Sequence, residues 1–403
     1  MDDAAAAQHL QAIDEVLSPE GWAYASSDPV DTDDPGRFHA LFGRDSLIFG
    51  LQVLPVRPEV ATATLRSLAA LQGRTDDPET EEQPGRIIHE YRPEAPEWLV
   101  AAQWPVRDGE LRYYGTSDAT SWFLVVLDAT ADAALQAELA DARAAAAGWL
   151  EQALRDGGGF VRCGPRRHPG GLVQQGWRDA SAPGRDDHGG GIVREDGNPP
   201  EPPLADADSQ AVAVAALDAL TRLDPQNARK WRDAATGLRD RVRKAFPPDV
   251  MALEAGDVPV HGAGSQLGWL LWADVLDDAG REAAVERLTA PDLLTDHGVR
   301  TLASTHPGFL PHGYHRGALW PFDNWLTWGG LHAAGSTLGA ARVRDGVRRA
   351  LDQLGRYPEL YAVSPLGQLA PVPIANKVQA WTVGAMVAFD HDWDGRPHRV
   401  RAS

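Results

Sequence analysis

The sequence predicts an all-α protein, an (α/α)6 barrel of six outer and six inner helices with long loops over one end. Three observations predict it. Helical periodicity recurs with almost no strand signal, every second helical segment is apolar nearly all round, and the polar connections gather ahead of those apolar segments. The segments fall near 3–17, 44–54, 58–72, 118–131, 133–154, 205–223, 225–245, 265–278, 280–289, 318–334, 337–355 and 377–389.

The even-numbered segments include Leu47 to Leu54, Trp122 to Leu127, Ala211 to Leu217 and Leu267 to Ala273. A helix apolar on every side is buried on every side. The odd-numbered ones are amphipathic. In the seventh, Trp231, Ala235, Leu238 and Val242 form one stripe among Arg229, Lys230, Arg232, Asp233, Arg239 and Asp240, so it covers a core and faces water. Pro58 and Pro225 stand at first-turn positions, where a missing N–H costs nothing. A solenoid of helix pairs shares such alternation, but no repeat of fixed period is present. The closed barrel is expected, as one domain over 1–403.

Composition excludes several classes of function. A net charge of −19 argues against nucleic acid and anionic membrane as partners, since both need clustered cations. Cys163 is the single cysteine, which excludes an intramolecular disulfide and a cysteine-based zinc site. Met1-Asp2-Asp3 and the alanines after it lack the basic start and apolar run of a signal peptide. No apolar stretch is long enough to span a bilayer. The expectation is a cytoplasmic protein, monomeric or weakly self-associating, with no metal and no cofactor.

Polar residues open each inner segment: Gly43-Arg44-Asp45-Ser46, Tyr113 to Asp118, Asp206 to Gln210, Gly264-Ser265-Gln266, Tyr314 to Asn324, and Asn376 to Trp381. Taken singly, Ser46, Ser117 and Ser209 read as helix N-caps. Six such openings meeting at one rim read better as a site. Two connections are long. The one at 155–204 is rich in Gly and Pro and carries Gln174 to Asp179; it is a candidate lid, since loops of this length are usually functional or disordered. The other, 356–376, carries Tyr357-Pro358-Glu359-Leu360-Tyr361. These loops enter the sixth and twelfth segments, so an acid from each would face the other across a cleft.

The run Tyr314-His315-Arg316-Gly317-Ala318-Leu319-Trp320-Pro321-Phe322-Asp323-Asn324 combines flat rings, a cation, a carboxylate and an amide. A sugar, with C–H faces and a hydroxyl rim, calls for that combination; a buried turn with core aromatics is the plain alternative. Glycoside hydrolysis needs one carboxylic acid to protonate the leaving oxygen and a second carboxylate acting at the anomeric carbon. Asp179 is the candidate acid. Trp177 beside it would raise its pKa, while Arg178 would act the other way. Glu359 is the candidate base.

Gly43-Arg44-Asp45-Ser46, Gln83-Pro84-Gly85-Arg86-Ile87-Ile88-His89-Glu90, Tyr113-Tyr114-Gly115-Thr116-Ser117-Asp118, Gly176-Trp177-Arg178-Asp179, the Tyr314–Asn324 run, Pro358-Glu359-Leu360 and Gln379-Ala380-Trp381 follow one another in this order. The set resembles the amylo-α-1,6-glucosidase domain of glycogen-debranching enzymes, related to trehalases and glucoamylases, over about 38–389. The resemblance implies an (α/α)6 barrel, inversion at an α-glucosidic bond, an acid before the sixth helix and a base before the twelfth. By motif position it implies that Arg44, Asp45, Glu90, Tyr114, Asp118, Trp177, Gln210, Tyr314, His315, Trp320, Asp323, Asn324, Gln379 and Trp381 bind substrate. Asp323, between the loops of the two acids, then reads as a substrate clamp.

The chain departs from that pattern. Asp208 replaces a Glu, Ser265-Gln266-Leu267-Gly268-Trp269 replaces a Ser-Asn-Pro-Gly-His motif, and Phe322 replaces a His. A stand-alone barrel, without the β-rich and transferase modules often found beside that domain, is the expectation. A small α-glucoside of the glucosylglycerate or trehalose type is therefore an alternative to a branched oligosaccharide. A sugar epimerase using histidines, or a non-catalytic saccharide-binding protein, are the others. His306, His312 and His315 have no helical His-x-x-x-His spacing, which disfavours a metal hydrolase. His188-Gly189-Gly190-Gly191 resembles an esterase oxyanion loop, but no Gly-x-Ser-x-Gly accompanies it.

Overall fold

The computed structural model describes residues 3–27, 36–184 and 188–396. Its helices run α1 (Asp3–Asp14), α2 (Gly43–Val53), α3 (Pro58–Ala70), α4 (Glu97–Ala101) and α5 (Ala119–Ala129). Next come α6 (Ala133–Glu138), α7 (Ala140–Asp156), α8 (Ala207–Leu223), α9 (Ala228–Ala245) and α10 (Gln266–Trp272). The chain closes with α11 (Asp278–Leu288), α12 (Pro321–Ala333), α13 (Thr337–Leu354) and α14 (Ala380–Asp390).

The all-apolar segments form the inner layer. Every residue of α2, α5 and α10 is buried, and α8, α12 and α14 are buried along nearly their whole length. Each packs on the next, α2 on α5, then α8, α10, α12 and α14, and α14 returns to α2. The amphipathic helices cover this circuit from outside: α3 on α2, α7 on α5, α9 on α8, α11 on α10, α13 on α12, and α1 on α14. In α9 the buried side chains are Trp231, Ala235, Leu238 and Val242, the predicted stripe. The protein is thus helix-rich, of α/α type, with the first helix closing against the last.

Glycine sets how closely inner helices approach. A Cβ at Gly330 of α12 would stand 2.4 Å from the Gly268 carbonyl oxygen of α10, and one at Gly268 would stand 2.3 Å from Thr327 Oγ1. A larger residue at either position would force α10 and α12 apart.

Several boundaries differ from the sequence reading. The fifth segment breaks at Leu139 (φ −94, ψ 19), which turns its side chain inward, while Asp132 caps α6 by accepting the N–H groups of Ala134 and Leu135. The segment expected to 278 stops at Trp272, because Asp274 takes a positive φ of 53°. The tenth begins late because Leu319 and Tyr361 exchange backbone hydrogen bonds at 2.8 and 3.0 Å.

Short strands also appear where almost none were predicted. β1 (Leu41–Phe42), β2 (Glu90–Arg92), β3 (Val106–Arg107) and β4 (Glu110–Tyr113) form an antiparallel sheet in the order β1-β2-β4-β3. β5 (Ala205–Asp206), β6 (Val250–Glu254) and β7 (Val258–His261) form a second. β8 (Leu294–Thr295) pairs with β9 (Gly298–Val299), and β10 (Tyr361–Val363) with β11 (Leu369–Pro371). Most of these segments have two or three residues, too few to show a period of two; β4, Glu110-Leu111-Arg112-Tyr113, does alternate. Several brace the site: β1 runs into α2, β2 carries Glu90, and β10 follows Glu359. Among the described residues, no helix is long and apolar enough to cross a membrane.

Candidate active site

The N-terminal ends of α2, α12 and α14 open with loop residues onto one cavity of about 250 Å³. Arg44, Asp45, Glu90, Trp177, Asp179, Tyr314, His315, Trp320, Glu359 and Trp381 all line it. Its aromatic wall is continuous, with Trp177 edge-on to Trp320 at 5.6 Å, Trp320 edge-on to Trp381 at 5.8 Å, and His315 stacked on Trp320 at 5.5 Å. Phe322 lies behind, stacked on Trp381 at 3.9 Å.

Asp179 stands at the tip of a loop closed by backbone hydrogen bonds between Gln174 and Ala180. Arg44 aims it. The Arg44 Nε donates to both oxygens of Asp118 at 2.9 and 2.8 Å, Nη2 donates to the Gln175 carbonyl at 3.2 Å, and Nη1 donates to Asp179 Oδ2 at 3.0 Å. Asp118 is fully buried and serves as an anchor for the arginine. Asp179 keeps 30% of its side-chain exposure, and that exposed part opens into the cavity. Burial pushes its carboxyl up to about 6, against the opposing charge and hydrogen bond of Arg44.

Glu359 is buried. Tyr314 donates its phenolic hydrogen to Oε1, and the Asn376 N–H donates to Oε2 at 3.2 Å. Burial raises this carboxyl to about 7; the two hydrogen bonds and the charge of Arg37 oppose the rise, and the charge of Asp179 adds to it. The two carboxyls therefore titrate near neutrality and feel each other, which is what acid–base work at ordinary pH requires. Asp45 lies within the same field, raised well above its usual range by burial, with Arg44 opposing and Asp179 and Glu359 adding. Glu90 is raised by burial against its Arg92 partner, whose Nε donates at 2.6 Å.

Other predicted side chains lie outside the cavity lining. The Tyr114 hydroxyl donates to the Leu71 carbonyl at 2.8 Å. Gln210 pairs with both backbone groups of Val161, each at 2.8 Å. Asn324 accepts from the Val299 N–H and donates to the carbonyls of Val299 and Trp320. Gln379 accepts from Asn376 at 2.7 Å. Asp323 is fully buried and accepts the Trp269 indole N–H at 2.6 Å. The departures from the debranching pattern thus fall in one region: Trp269 bonds Asp323, Phe322 stacks on Trp381, and Asp208 pairs with Arg178 at 3.3 Å. The amide of Gln266, the remaining departure, donates to the Gly262 carbonyl at 2.9 Å.

The sequence reading missed Arg37, Phe38, Phe42, His89, Trp98, Trp104, His188 and Ile374, which also line the cavity. Phe38 and Phe42 flank the Gly43–Ser46 motif and were findable by proximity. Trp98 and Trp104 precede a hairpin with a local signal, Asp108-Gly109 between the alternating residues of β3 and β4, both turn residues at positive φ. The pairing of β4 with β2, which carries the hairpin to the cavity, is long-range.

A larger cavity of about 490 Å³ lies at the C-terminal ends of α5, α8, α10 and α12. Its charges are mutually paired, Arg222 with Asp128 at 2.6 Å and Arg281 with Asp274 at 2.7 Å, and the acids described above are at the opposite end. The smaller cavity is the candidate site. Among the described residues, no group of three His, Cys, Asp or Glu side chains could hold a metal ion.

Residues 119–359 match the family model of the mannosylglycerate hydrolase MGH1-like glycoside hydrolase domain. The chain belongs to this family. The match supports the glycosidase reading, with a small-glycoside family where the sequence motifs suggested a debranching one. Solved structures agree in fold. The GH63 mannosylglycerate hydrolase from Thermus thermophilus in complex with Tris is 14% identical, with a TM-score of 0.70 over 96% of this chain and 99% of that one. Its complex with Tris and D-glycerate is 15% identical, with a TM-score of 0.70 over 95% and 99%. Its complex with glucose is 13% identical, with a TM-score of 0.66 over 96% and 99%. No curated protein matches the chain in sequence.

Proposed function

We propose that the protein is an inverting glycosidase for a small α-glycoside, with Asp179 as general acid and Glu359 as general base. The observation that carries this reading is the pair of carboxyls on one small aromatic cavity, the half-buried Asp179 aimed by Arg44 and the buried Glu359 held by Tyr314. Asp179 donates its proton to the glycosidic oxygen as the C–O bond breaks. Glu359 takes a proton from the water that attacks the anomeric carbon from the opposite face. Asp45 and Glu90 accept hydrogen bonds from hydroxyls of the sugar, whose C–H faces rest on Trp320 and Trp381. The inner and outer helices are read as an (α/α)6 barrel forming one domain.

Cavity size favours a small substrate. Pockets for drug-sized ligands measure about 300–1,000 Å³, and a cavity of about 250 Å³ leaves little room for a branched chain. In keeping with the family, the substrate is proposed to be an α-glucosyl or α-mannosyl glycoside of a small hydroxy acid. Arg37 and His188 on the cavity lining would face its aglycone. The histidines argue against an epimerase. His315 accepts the Gly191 N–H at Nδ1, 3.0 Å, and burial with three nearby arginines holds it neutral. His89 is likewise held well below its usual range by burial, with Arg44 and Arg86 adding.

The test is a hydrolysis screen across glucosylglycerate, mannosylglycerate, trehalose, isomaltose, panose and limit dextrin, with proton NMR of the first product. Release of β-sugar from a glycerate glycoside is expected. A first product of α configuration, or turnover of limit dextrin alone, overturns the proposal.

A further inference from the structure

Asp179 and Glu359 come from distant parts of the chain, yet one short segment touches the support of both. On the acid side, Gln174 begins the loop that carries Asp179. Its carboxamide donates from Nε2 to the Ile192 carbonyl at 2.8 Å and accepts the Ile192 N–H at Oε1, 2.6 Å, in a buried setting. On the base side, the Tyr314 N–H donates to the His188 carbonyl at 2.6 Å and the His315 N–H to the Gly189 carbonyl at 2.9 Å. The Gly191 N–H closes the contact on His315 Nδ1 at 3.0 Å. Tyr314 is the residue whose hydroxyl holds Glu359.

The segment has no slack. Gly189 and Gly191 have φ of 71° and 72°, where a side chain is strained. A Cβ at Gly189 would lie 2.6 Å from Gly313 Cα, and one at Gly191 would lie 2.8 Å from both Gln174 Oε1 and Pro183 Cβ. The backbone of 188–192 is pressed against the acid loop on one side and against the Tyr314–His315 run on the other.

We propose that 188–192 is a strap setting the acid loop against the base, and that Gln174 is the positioning residue fastening the acid loop to it. The proposal rests on the assignment of Asp179 and Glu359 above. Its physical basis is that misplacing a reacting group by about 1 Å costs on the order of 100-fold in rate. Gln174→Leu keeps the volume and removes both hydrogen bonds. Gly191→Ala keeps the bonding groups and pushes on them, and serves as a second variant should the first fold poorly.

Kinetics use an α-glycoside with an alcohol leaving group and the matching α-glycosyl fluoride, whose leaving group needs no proton. With the alcohol, kcat is expected to fall about 10- to 100-fold, with KM within about threefold. With the fluoride, where protonation is not at stake and only the loosened Tyr314 side counts, the fall is expected to be several-fold smaller than with the alcohol. Unchanged turnover of the alcohol glycoside, or an equal fall on both substrates, overturns the proposal.

Hydrogen exchange provides a readout independent of activity. In Gln174→Leu the amides of Gly191, Ile192, Tyr314 and His315 should exchange faster while those of α8 and α12 keep their protection. Unchanged exchange at Tyr314 and His315 means that the strap does not couple the two sides. If the parent protein cleaves no glycoside or fluoride, the glycosidase reading fails and the exchange result alone decides the strap.

Discussion

Tyr314 and Glu359 share a hydrogen bond in which the phenol donates to one carboxylate oxygen, leaving the other to the Asn376 N–H. A base held in this way is fixed in orientation, and its ionised form is favoured over the neutral one. Burial still dominates and sets Glu359 at about 7, above the value of about 6 for Asp179. In the proposed mechanism the productive form has Asp179 protonated and Glu359 ionised, and with the two carboxyls titrating this close together it is populated beside its reverse. The pair titrates as a unit, so kcat/KM should be bell-shaped, rising near pH 6 and falling near pH 7.

Tyr314→Phe tests this balance. Loss of a hydrogen bond to a charged group is worth about 1.5–3 kcal/mol, which corresponds to one to two pKa units of roughly 1.4 kcal/mol each. Glu359 should rise. The descending limb should then move to higher pH by about one to two units, and the maximum should fall about tenfold for each unit as the productive state becomes rarer. A pH–rate profile in which neither limb moves would dissociate Tyr314 from the base.

Asp179→Asn should lower turnover of an alcohol glycoside by about 100- to 10,000-fold, the range general acid catalysis supplies. Sugar binding, followed by calorimetry, should persist, because Arg44 keeps its Asp118 anchor. Removing the Asp179 charge also removes one influence that raises Glu359. Residual hydrolysis of a glycosyl fluoride, limited by the base alone, should therefore reach its plateau at a pH below 7. A plateau above 7 contradicts the electrostatic link between the two carboxyls.

The inner helices were legible because burial on every side calls for apolar residues nearly all round, as along Leu47 to Leu51 and Trp122 to Leu127. Ten of the proposed site residues line one cavity because the motifs sit at helix entrances that face it. Polar residues at the same entrances have a second use that sequence does not separate from the first. Gln210 and Asn324 spend their amides on the backbone of Val161 and Val299, and both are as buried as Asp118. Trp98 and Trp104 differ: the Asp108-Gly109 turn between β3 and β4 is a legible hairpin signal, but the pairing of β4 with β2 that carries the hairpin to the cavity is long-range.

Glu359→Gln should trade activity for stability in a pH-dependent way. The carboxyl titrates at about 7 in the fold against 4.5 for its ordinary value. A group raised by folding binds its proton more tightly in the native state, so its contribution is fully present below that ordinary value of 4.5 and is lost as pH rises through about 7. The amide cannot ionise and avoids that loss. Chemical denaturation should show the variant more stable than the parent at pH 8 by on the order of 1–3 kcal/mol, with the advantage absent at pH 4. An equal difference at both pH values would point to packing in place of ionisation.

Asp323 separates support from binding. It is fully buried, accepts the Trp269 indole N–H, and lies outside the cavity lining, with burial raising its carboxyl against the charge of Arg178. Asp323→Ala would leave that indole N–H without its acceptor and Arg178 with one carboxylate fewer nearby. Unpaired buried polar groups cost about 1–3 kcal/mol each, so the main effect should be lower stability to denaturant. The KM of the folded enzyme should stay within about threefold, because a group that touches no substrate contributes nothing to uniform binding. A KM raised tenfold or more at unchanged stability would place Asp323 on the sugar after all, as the motif resemblance implies.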